Sequence, residues 1–143
     1  MSPVEKEILR RKLALIIENL KALEPIGNMT GEEYMGDFYK RKATERLLQE
    51  LIEAAVDINT HIIVQTGNKV PDDYYESFIL LGNLNVIPAR LAEKLAPSAG
   101  LRNRLVHEYD SLDHAIVLNA VRTAEELYPE YLKEIEGYIK KAA

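Results

Sequence analysis

The chain has 143 residues, of which 47% are hydrophobic and 29% charged, a composition that suits one ordinary globular domain. The absence of cysteine excludes disulfide bonds, a thiol nucleophile and thiolate metal sites. The net charge of −5 excludes a generally basic nucleic-acid coat protein, so any attraction for phosphate must come from a local basic patch.

Capping signals predict two helices in the first half of the chain. Ser2-Pro3-Val4-Glu5 combines an N-cap serine, a proline at the first helical position and a capping-box glutamate, and Pro25 and Gly27 end this first helix. Thr30-Gly31-Glu32-Glu33 repeats the capping box and predicts one long second helix through about Ile63 or Gln65. Its stretch from Tyr39 to Arg46 is more polar, so we expect the helix to bend or to leave the core there. The predicted buried positions of the first helix are Val4, Ile8, Leu13, Ile16, Leu20 and Leu23. Those of the second are Tyr34, Phe38, Leu48, Leu51, Ile52, Ala55, Ile58 and Ile62.

A third and a fourth helix follow. Val70-Pro71-Asp72-Asp73 begins a short third helix that runs through about Leu84, and Pro88 lies in the first turn of the fourth. Pro97 falls inside the fourth helix, where it removes a backbone hydrogen bond, so we expect a kink or restart near residues 96–98. The fourth helix then continues to about His107.

The last part of the chain predicts a turn and a fifth helix. Asp110-Ser111-Leu112-Asp113 provides the turn and the cap, and the fifth helix is interrupted near Pro129 and reaches about Lys140. With strand signals nearly absent, the sequence predicts an all-α, up-and-down bundle of about five helices in one domain, residues 1–143. The first residues lack the basic and apolar regions of a signal peptide, and no apolar run approaches the ~20 residues of a membrane span, so we expect a cytoplasmic protein.

One short segment carries side chains suited to phosphodiester chemistry. Residues 99–109 hold Arg102, Asn103, His107 and Tyr109. Cleavage of RNA needs a group of near-neutral pKa to move protons at the 2′-hydroxyl or the leaving oxygen, and histidine suits either task. It also needs a fixed cation for the charge that grows on the phosphoryl oxygens, and the planar donors of arginine match phosphate.

The spacing within this segment gives only partial support. Asn103 and His107 are four residues apart and share a helical face, whereas Arg102 points about 140° away from His107. Either the helix ends before His107, or a second copy of the chain completes the cleft. The spacing alone favours a plain structural interpretation, with a surface arginine and a histidine at a helix C-terminus. For His61 a structural role is also favoured, and for His114, in the first turn of the last helix, a surface position is favoured.

The full string Gly100-Leu101-Arg102-Asn103-Arg104-Leu105-Val106-His107-Glu108-Tyr109 closely resembles the signature of the HepT-like family of HEPN (higher eukaryote and prokaryote nucleotide-binding) domains. Residues 86–95 and 45–53 are also similar to the family, so the likeness covers most of residues 1–140. The resemblance implies a HEPN-like helical fold and a metal-independent endoribonuclease toxin of a two-gene toxin–antitoxin module, with no cofactor. It implies Arg102 and His107 as the catalytic pair, Asn103 as a supporting residue, and a homodimer with the cleft at its interface.

The resemblance also implies a protein partner. In the family, a minimal nucleotidyltransferase antitoxin, MntA, transfers adenylate from ATP to the tyrosine of the motif, which is Tyr109 in this chain. A bulky anion on this tyrosine, two residues from His107, is expected to block the cleft and repel the phosphates of RNA.

Two features qualify this expectation. Pro97 interrupts the helix leading into the motif, and the net acidic charge, with Glu108 inside the motif, disfavours RNA binding. Arg90, Lys94, Arg102 and Arg104 are candidates for a local basic patch. A polar stripe on the long second helix either lines the cleft and contacts the motif or, as most such stripes do, faces solvent. Its members are Glu45, Gln49, Glu53 and Asp57.

The principal alternative function is a binding module. In it a helical HEPN dimer holds a nucleotide or a nucleotidyltransferase subunit and cleaves nothing. The motif residues would then contact phosphate without turning it over. A helical structural protein with a fortuitous motif is a third alternative, and it predicts that Arg102 and His107 lie far from any cleft.

Overall fold

Helices and short connections make up the whole chain in the computed structural model, which describes all 143 residues. The elements are α1 (Pro3–Gly27), α2 (Gly31–Met35), α3 (Phe38–Gln65), α4 (Tyr74–Asn83), α5 (Ala89–Leu95), α6 (Ser98–His107), a 3-10 helix (Tyr109–Ser111) and α7 (His114–Lys141). The predicted all-α bundle is confirmed. None of these helices is both long enough and apolar enough to span a membrane.

The helix starts follow the capping signals, but the second predicted helix is two helices. Ser2 and Thr30 both form complete capping boxes, which start α1 and α2 as expected. The chain breaks after α2 because the Asp37 side chain accepts a hydrogen bond from the Lys40 amide at 3.0 Å and so caps a new helix, α3. The prediction of one continuous helix over this stretch is therefore wrong.

Three of the six prolines test the predicted helix boundaries, and they behave differently. Pro97 separates α5 from α6, so the predicted restart is confirmed. Pro129 lies inside a continuous α7, and the predicted interruption there is wrong. Pro25 likewise lies inside α1, which ends at Gly27. Both Pro129 and Pro25 are exposed, so water can satisfy the carbonyl groups that they leave without a helical partner.

The buried face of α1 is displaced from the predicted one. Val4 and Ile8 are exposed, Leu20 is only half-buried, and Phe38 at the start of α3 is also exposed, so these four assignments to the core are wrong. The predicted and the observed buried positions of α1 both have helical spacing, and packing against α3 and α7 selects the observed ones. The buried residues of α1 are Leu9, Leu13, Ile16, Asn19, Leu23 and Ile26.

The core surrounds α3, which contacts α1, α4, α6 and α7. Thirty-four buried residues form one hydrophobic cluster that draws on all seven α-helices. The contact between α4 and α5 is especially close at Gly82. A Cβ atom at this position would lie 2.7 Å from the Cβ of Ala92 and 3.4 Å from the Cα of Ala89. Only glycine therefore allows α5 its present distance from α4.

A buried polar network joins α3, α4 and α7 inside this core. The Tyr131 hydroxyl donates to Asn59 Oδ1 at 2.6 Å and lies 3.1 Å from the Ala55 carbonyl oxygen. Asn59 Nδ2 donates to Ser77 Oγ at 3.2 Å, and the Ser77 hydroxyl donates to the Tyr74 carbonyl oxygen at 2.7 Å. Burial raises the pKa of Tyr131 well above its ordinary value, so its hydroxyl stays a donor. The network fixes the first turn of α4 against α3.

Tyr131→Phe is expected to lower the free energy of unfolding by about 1–3 kcal/mol, because it leaves the buried Asn59 oxygen without its donor. The measurement is a urea titration of the purified protein. Tyr138→Phe is the matched control: its hydroxyl donates to Gln65 at 3.4 Å near the surface, and its loss should cost less than about 0.5 kcal/mol. Equal losses in the two variants would contradict a structural role for the network.

Candidate functional site

Helix α6 carries the motif, and its middle and its C-terminal end face different surroundings. Arg102 lies near the middle of the helix, half-buried and directed towards α3 and α4. His107 is the last residue of α6, and the Glu108 amide closes the helix by donating to the Arg104 carbonyl oxygen at 2.9 Å. Tyr109 follows in the 3-10 helix, with 62% of its surface exposed.

The guanidinium of Arg102 is held by one carboxylate and one aromatic ring. Its Nε lies 3.7 Å from Glu53 Oε1 on α3, an ion pair rather than a hydrogen bond. Its Cζ lies 4.8 Å from the centre of the Tyr74 ring on α4, within cation–π distance. Gln49 Nε2 donates to the same Glu53 oxygen at 2.8 Å and so helps to orient the carboxylate. The side chains of Arg102 and Glu53 are only 20% and 33% exposed, so solvent screens their attraction less than it screens a surface pair.

The other motif residues are free for a substrate. Asn103 is exposed, and its Oδ1 accepts a long hydrogen bond of 3.4 Å from Arg102 Nη1. His107 is exposed and makes no side-chain hydrogen bond or ion pair within the chain. Because α6 continues through His107, one of the two explanations for the spacing mismatch, an earlier end of the helix, is wrong. A single chain thus brings Arg102 and Asn103 together but directs His107 about 140° away around the helix.

The polar stripe on α3 is not a plain solvated face. Glu53 contacts the motif arginine and Gln49 donates to Glu53, which supports the functional one of the two interpretations. Glu45 is buried, and Asp57 pairs with Lys12 of α1 at 2.8 Å. Sequence reasoning missed Tyr74 altogether. The packing of α4 against α6 brings Tyr74 to Arg102, and no local sequence pattern predicts that contact.

His61 has structural surroundings, as the sequence favoured, whereas His114 is half-buried and not the surface residue that the sequence favoured. His61 Nε2 lies 3.5 Å from Glu5 Oε1, a contact that joins α3 to the first turn of α1. His114, the first residue of α7, packs edge-to-face on the buried Tyr34 of α2, with 6.4 Å between the ring centres. Neither contacts Arg102, Asn103 or Tyr109 through a hydrogen bond or an ion pair.

The four candidate cations do not form one patch. Arg90 forms a two-pronged pair with Glu130 on α7, at 2.7 and 3.2 Å. Lys94 and Arg104 line a separate apolar groove between α6 and α7, together with Leu101 and Ile116. Arg102 faces the other side of α6, towards α3 and α4. The predicted combination of these cations is therefore wrong, because successive elements direct them to different surfaces.

Comparison with known proteins matches residues 6–135 to the family described as "Ribonuclease HepT-like". The tRNA nuclease HepT of Aphanizomenon flos-aquae (strain 2012/KM1/D3) is 39% identical over 139 residues, which cover 97% of this chain and 95% of that protein. The mRNA nuclease HepT of Shewanella oneidensis is 30% identical over 131 residues, which cover 92% of this chain and 98% of that protein.

Solved structures share the fold. One, a toxin–antitoxin complex with AMP-PNP, superposes with a TM-score of 0.83 at 29% identity and covers 92% of this chain and 98% of its own. Another contains the tri-AMPylated Shewanella oneidensis HEPN toxin in complex with the MNT antitoxin. It gives a TM-score of 0.82 at 29% identity and covers 96% of this chain and 99% of its own.

Proposed function

Because this chain belongs to the ribonuclease HepT-like family, we propose that it is a metal-independent endoribonuclease toxin of a two-gene toxin–antitoxin module. Relatives that align over nearly its whole length are named tRNA and mRNA nucleases. The observation that carries the proposal is the placement of the motif. A half-buried arginine is held by Glu53 and Tyr74, while a free histidine ends the same helix.

The proposed chemistry assigns one task to each side chain. The 2′-oxygen of RNA attacks the adjacent phosphorus, the bond to the 5′-oxygen breaks, and a cyclic phosphate and a 5′-hydroxyl result. His107 takes the proton from the attacking hydroxyl or gives one to the leaving oxygen, which its exposure to solvent and substrate allows. Arg102 donates to the phosphoryl oxygens, where negative charge grows in the transition state. Asn103 supports the arginine, with which it shares a hydrogen bond.

A second copy of the chain completes the proposed cleft. Within one chain Arg102 and His107 diverge around α6, whereas two copies related by a two-fold axis present each motif to the other. A phosphate between them then meets the arginine of one protomer and the histidine of the other. The homodimer is thus part of the proposed mechanism, because one chain alone separates the two groups.

Regulation by a nucleotidyltransferase antitoxin is proposed at Tyr109. Its ring is 62% exposed on a short 3-10 turn, and its hydroxyl makes no hydrogen bond within the chain, so it is open to an adenylating enzyme. The Shewanella toxin that shares this fold is AMPylated and bound to its MNT antitoxin. An adenylate on Tyr109 places negative charge beside His107, where it competes with the phosphates of RNA. The substrate RNA and the ATP used for adenylation are both present in the cytoplasm, so we place the protein there.

His107→Ala is expected to lower the rate of RNA cleavage by about 10²–10⁴-fold, and Arg102→Ala by about 10²–10³-fold. The measurement is single-turnover cleavage of RNA by variants with unchanged circular dichroism. Arg104→Ala is the matched control, because this arginine lies two residues along on the other side of α6. If the wild-type protein binds RNA yet leaves diverse RNAs intact, the chain is the alternative binding module.

Glu53→Gln is expected to lower kcat by roughly 10–100-fold with a smaller change in KM, because it frees Arg102 to leave its working position. Asp57→Asn, one turn further along α3 and paired with Lys12, controls for the loss of a carboxylate. Steady-state cleavage of RNA measures both constants. Identical effects of the two substitutions would show that the position of the carboxylate does not matter.

Co-expression with a nucleotidyltransferase antitoxin is expected to add adenylate to this chain and to abolish RNA cleavage. Tyr109→Phe should gain no adenylate at this site and should stay active, while Tyr75→Phe, which removes another exposed tyrosine hydroxyl, should be modified as the wild type is. Intact-mass measurement and peptide mapping read out both results. Adenylate found elsewhere, with Tyr109 unmodified, would disprove the assignment.

A further inference from the structure

Two aromatic rings are exposed at the start of α3. Phe38 has 57% of its surface exposed. Tyr39 has 85% exposed, a larger fraction than any other large apolar or aromatic residue of the molecule. Their rings meet edge to face, with 5.9 Å between centres and an angle of 81°. Leaving such surface in water is unfavourable, and nothing in the fold covers it. Exposed rings in this arrangement are available to stack with a ligand.

The same two turns of helix carry a concentration of positive charge. Residues 38–46 contain four basic residues and one acidic residue, in a chain whose net charge is −5. We call Phe38, Tyr39, Lys40, Arg41, Lys42 and Arg46 the aromatic–basic patch. The acidic residue, Glu45, is buried, so the charge that this segment shows to solvent is basic.

Two cations of the patch lie close to the Phe38 ring. Lys42 Nζ lies 5.6 Å and Arg41 Cζ 5.8 Å from the centre of the Phe38 ring. The Arg41 guanidinium also donates to the Met35 carbonyl oxygen, which ties the patch to the end of α2. Two cations of the patch therefore lie near the Phe38 ring, and these contacts help to hold that ring in a defined position.

Two of the three carboxylates near the patch are weak competitors for its cations. Asp37 lies 3.9 Å from Lys40 and Glu45 3.5 Å from Lys42, and Glu50 lies 3.2 Å from Arg46. The three basic side chains remain 47–66% exposed. The pairs of Asp37 with Lys40 and of Glu50 with Arg46 are exposed on both sides and contribute little, whereas the buried Glu45 carboxylate holds Lys42 more firmly. A phosphate can therefore replace the carboxylate partner of Lys40 or Arg46 without a large loss.

The patch lies at the same end of the bundle as the free part of the motif. The connection after His107 leads to His114, whose ring packs on Tyr34 with 6.4 Å between centres. Tyr34 belongs to α2, which ends only three residues before Phe38. The Tyr34–His114 contact thus packs the segment that follows the motif against α2, which precedes the patch in the chain.

We propose that the aromatic–basic patch binds single-stranded RNA next to the point of cleavage. Bases stack on Tyr39 and Phe38, and phosphates contact Lys40, Lys42 and Arg46. Sequence-tolerant single-strand sites combine these two components, whereas the centres of protein–protein interfaces are depleted in lysine. The inference rests on the proposed ribonuclease function and adds to it a binding surface outside the motif. It also explains how an acidic protein can hold a polyanion.

The test measures binding separately from cleavage. A short unstructured RNA with methylated 2′-hydroxyls cannot be cut by the proposed route, and fluorescence anisotropy gives its affinity for the full-length wild-type chain. The double substitution Phe38→Leu and Tyr39→Leu keeps apolar volume but removes both rings, and it should weaken binding by about tenfold or more. Phe38→Trp with Tyr39→Trp should restore the affinity, because stacking needs only a ring.

The charge component has its own variant and control. Lys40→Ala with Lys42→Ala should reduce the slope of log affinity against log salt by about 1.4, corresponding to two lost phosphate contacts on a single strand. Lys140→Ala with Lys141→Ala removes the same charge at the end of α7 and should leave the slope unchanged. In cleavage assays, the patch variants should show a higher KM rather than a lower kcat.

The outcomes separate this inference from the proposed function. If the wild type cleaves RNA but the leucine variant binds methylated RNA as tightly as the wild type, the patch proposal alone is overturned. The patch proposal is also overturned if the leucine variant keeps its affinity for RNA but no longer binds a co-expressed antitoxin. It is overturned as well if the leucine variant loses its oligomeric state and its RNA binding together. If methylated RNA binds through the patch but the wild type cuts no RNA, the RNA-binding part of the inference stands, whereas its placement beside a point of cleavage and the ribonuclease proposal both fail.

Discussion

The attraction between the Arg102 guanidinium and the Glu53 carboxylate is the contact on which the rest of the site depends. It joins α6 to α3 at the border of the core, where both side chains are mostly shielded from solvent. The ring that completes the enclosure belongs to Tyr74, whose carbonyl oxygen ends the buried network from Tyr131 and Asn59. The position of the motif arginine is thus determined by the packing of the whole bundle, not by its own short helix.

The remaining groups of the site are placed in the opposite way. His107 and Tyr109 lie at and beyond the end of α6, exposed and without side-chain partners, where an RNA strand or a modifying enzyme can reach them. In the proposed dimer the held arginine of one chain meets the accessible histidine of the other, a division of labour that suits phosphoryl chemistry. It leaves affinity for the rest of the RNA to other surfaces, which matters in a protein of net charge −5.

Local signals were sufficient where local energy decides the outcome. Capping boxes and Pro97 marked helix boundaries correctly, because a cap or a lost hydrogen bond acts within one turn. Asp37 caps α3 without the capping-box pattern, and the continuity of α7 through Pro129 depends on exposure to water, which packing decides. The resemblance supplied candidate residues for the site. It could not supply the Tyr74 contact, which joins positions far apart in sequence.

The bare backbone at Gly82 gives the molecule an unexpected point of vulnerability. A single added methyl group would act as a wedge between α4 and α5, since the nearest atom is a short, rigid alanine Cβ at 2.7 Å. Because α5 leads directly into α6 at Pro97, a displacement of α5 would be expected to shift α6 and to move the Arg102 guanidinium away from the Tyr74 ring. A lineage that lost its antitoxin could silence the toxin by one such change, far from the motif, and leave the motif itself looking intact.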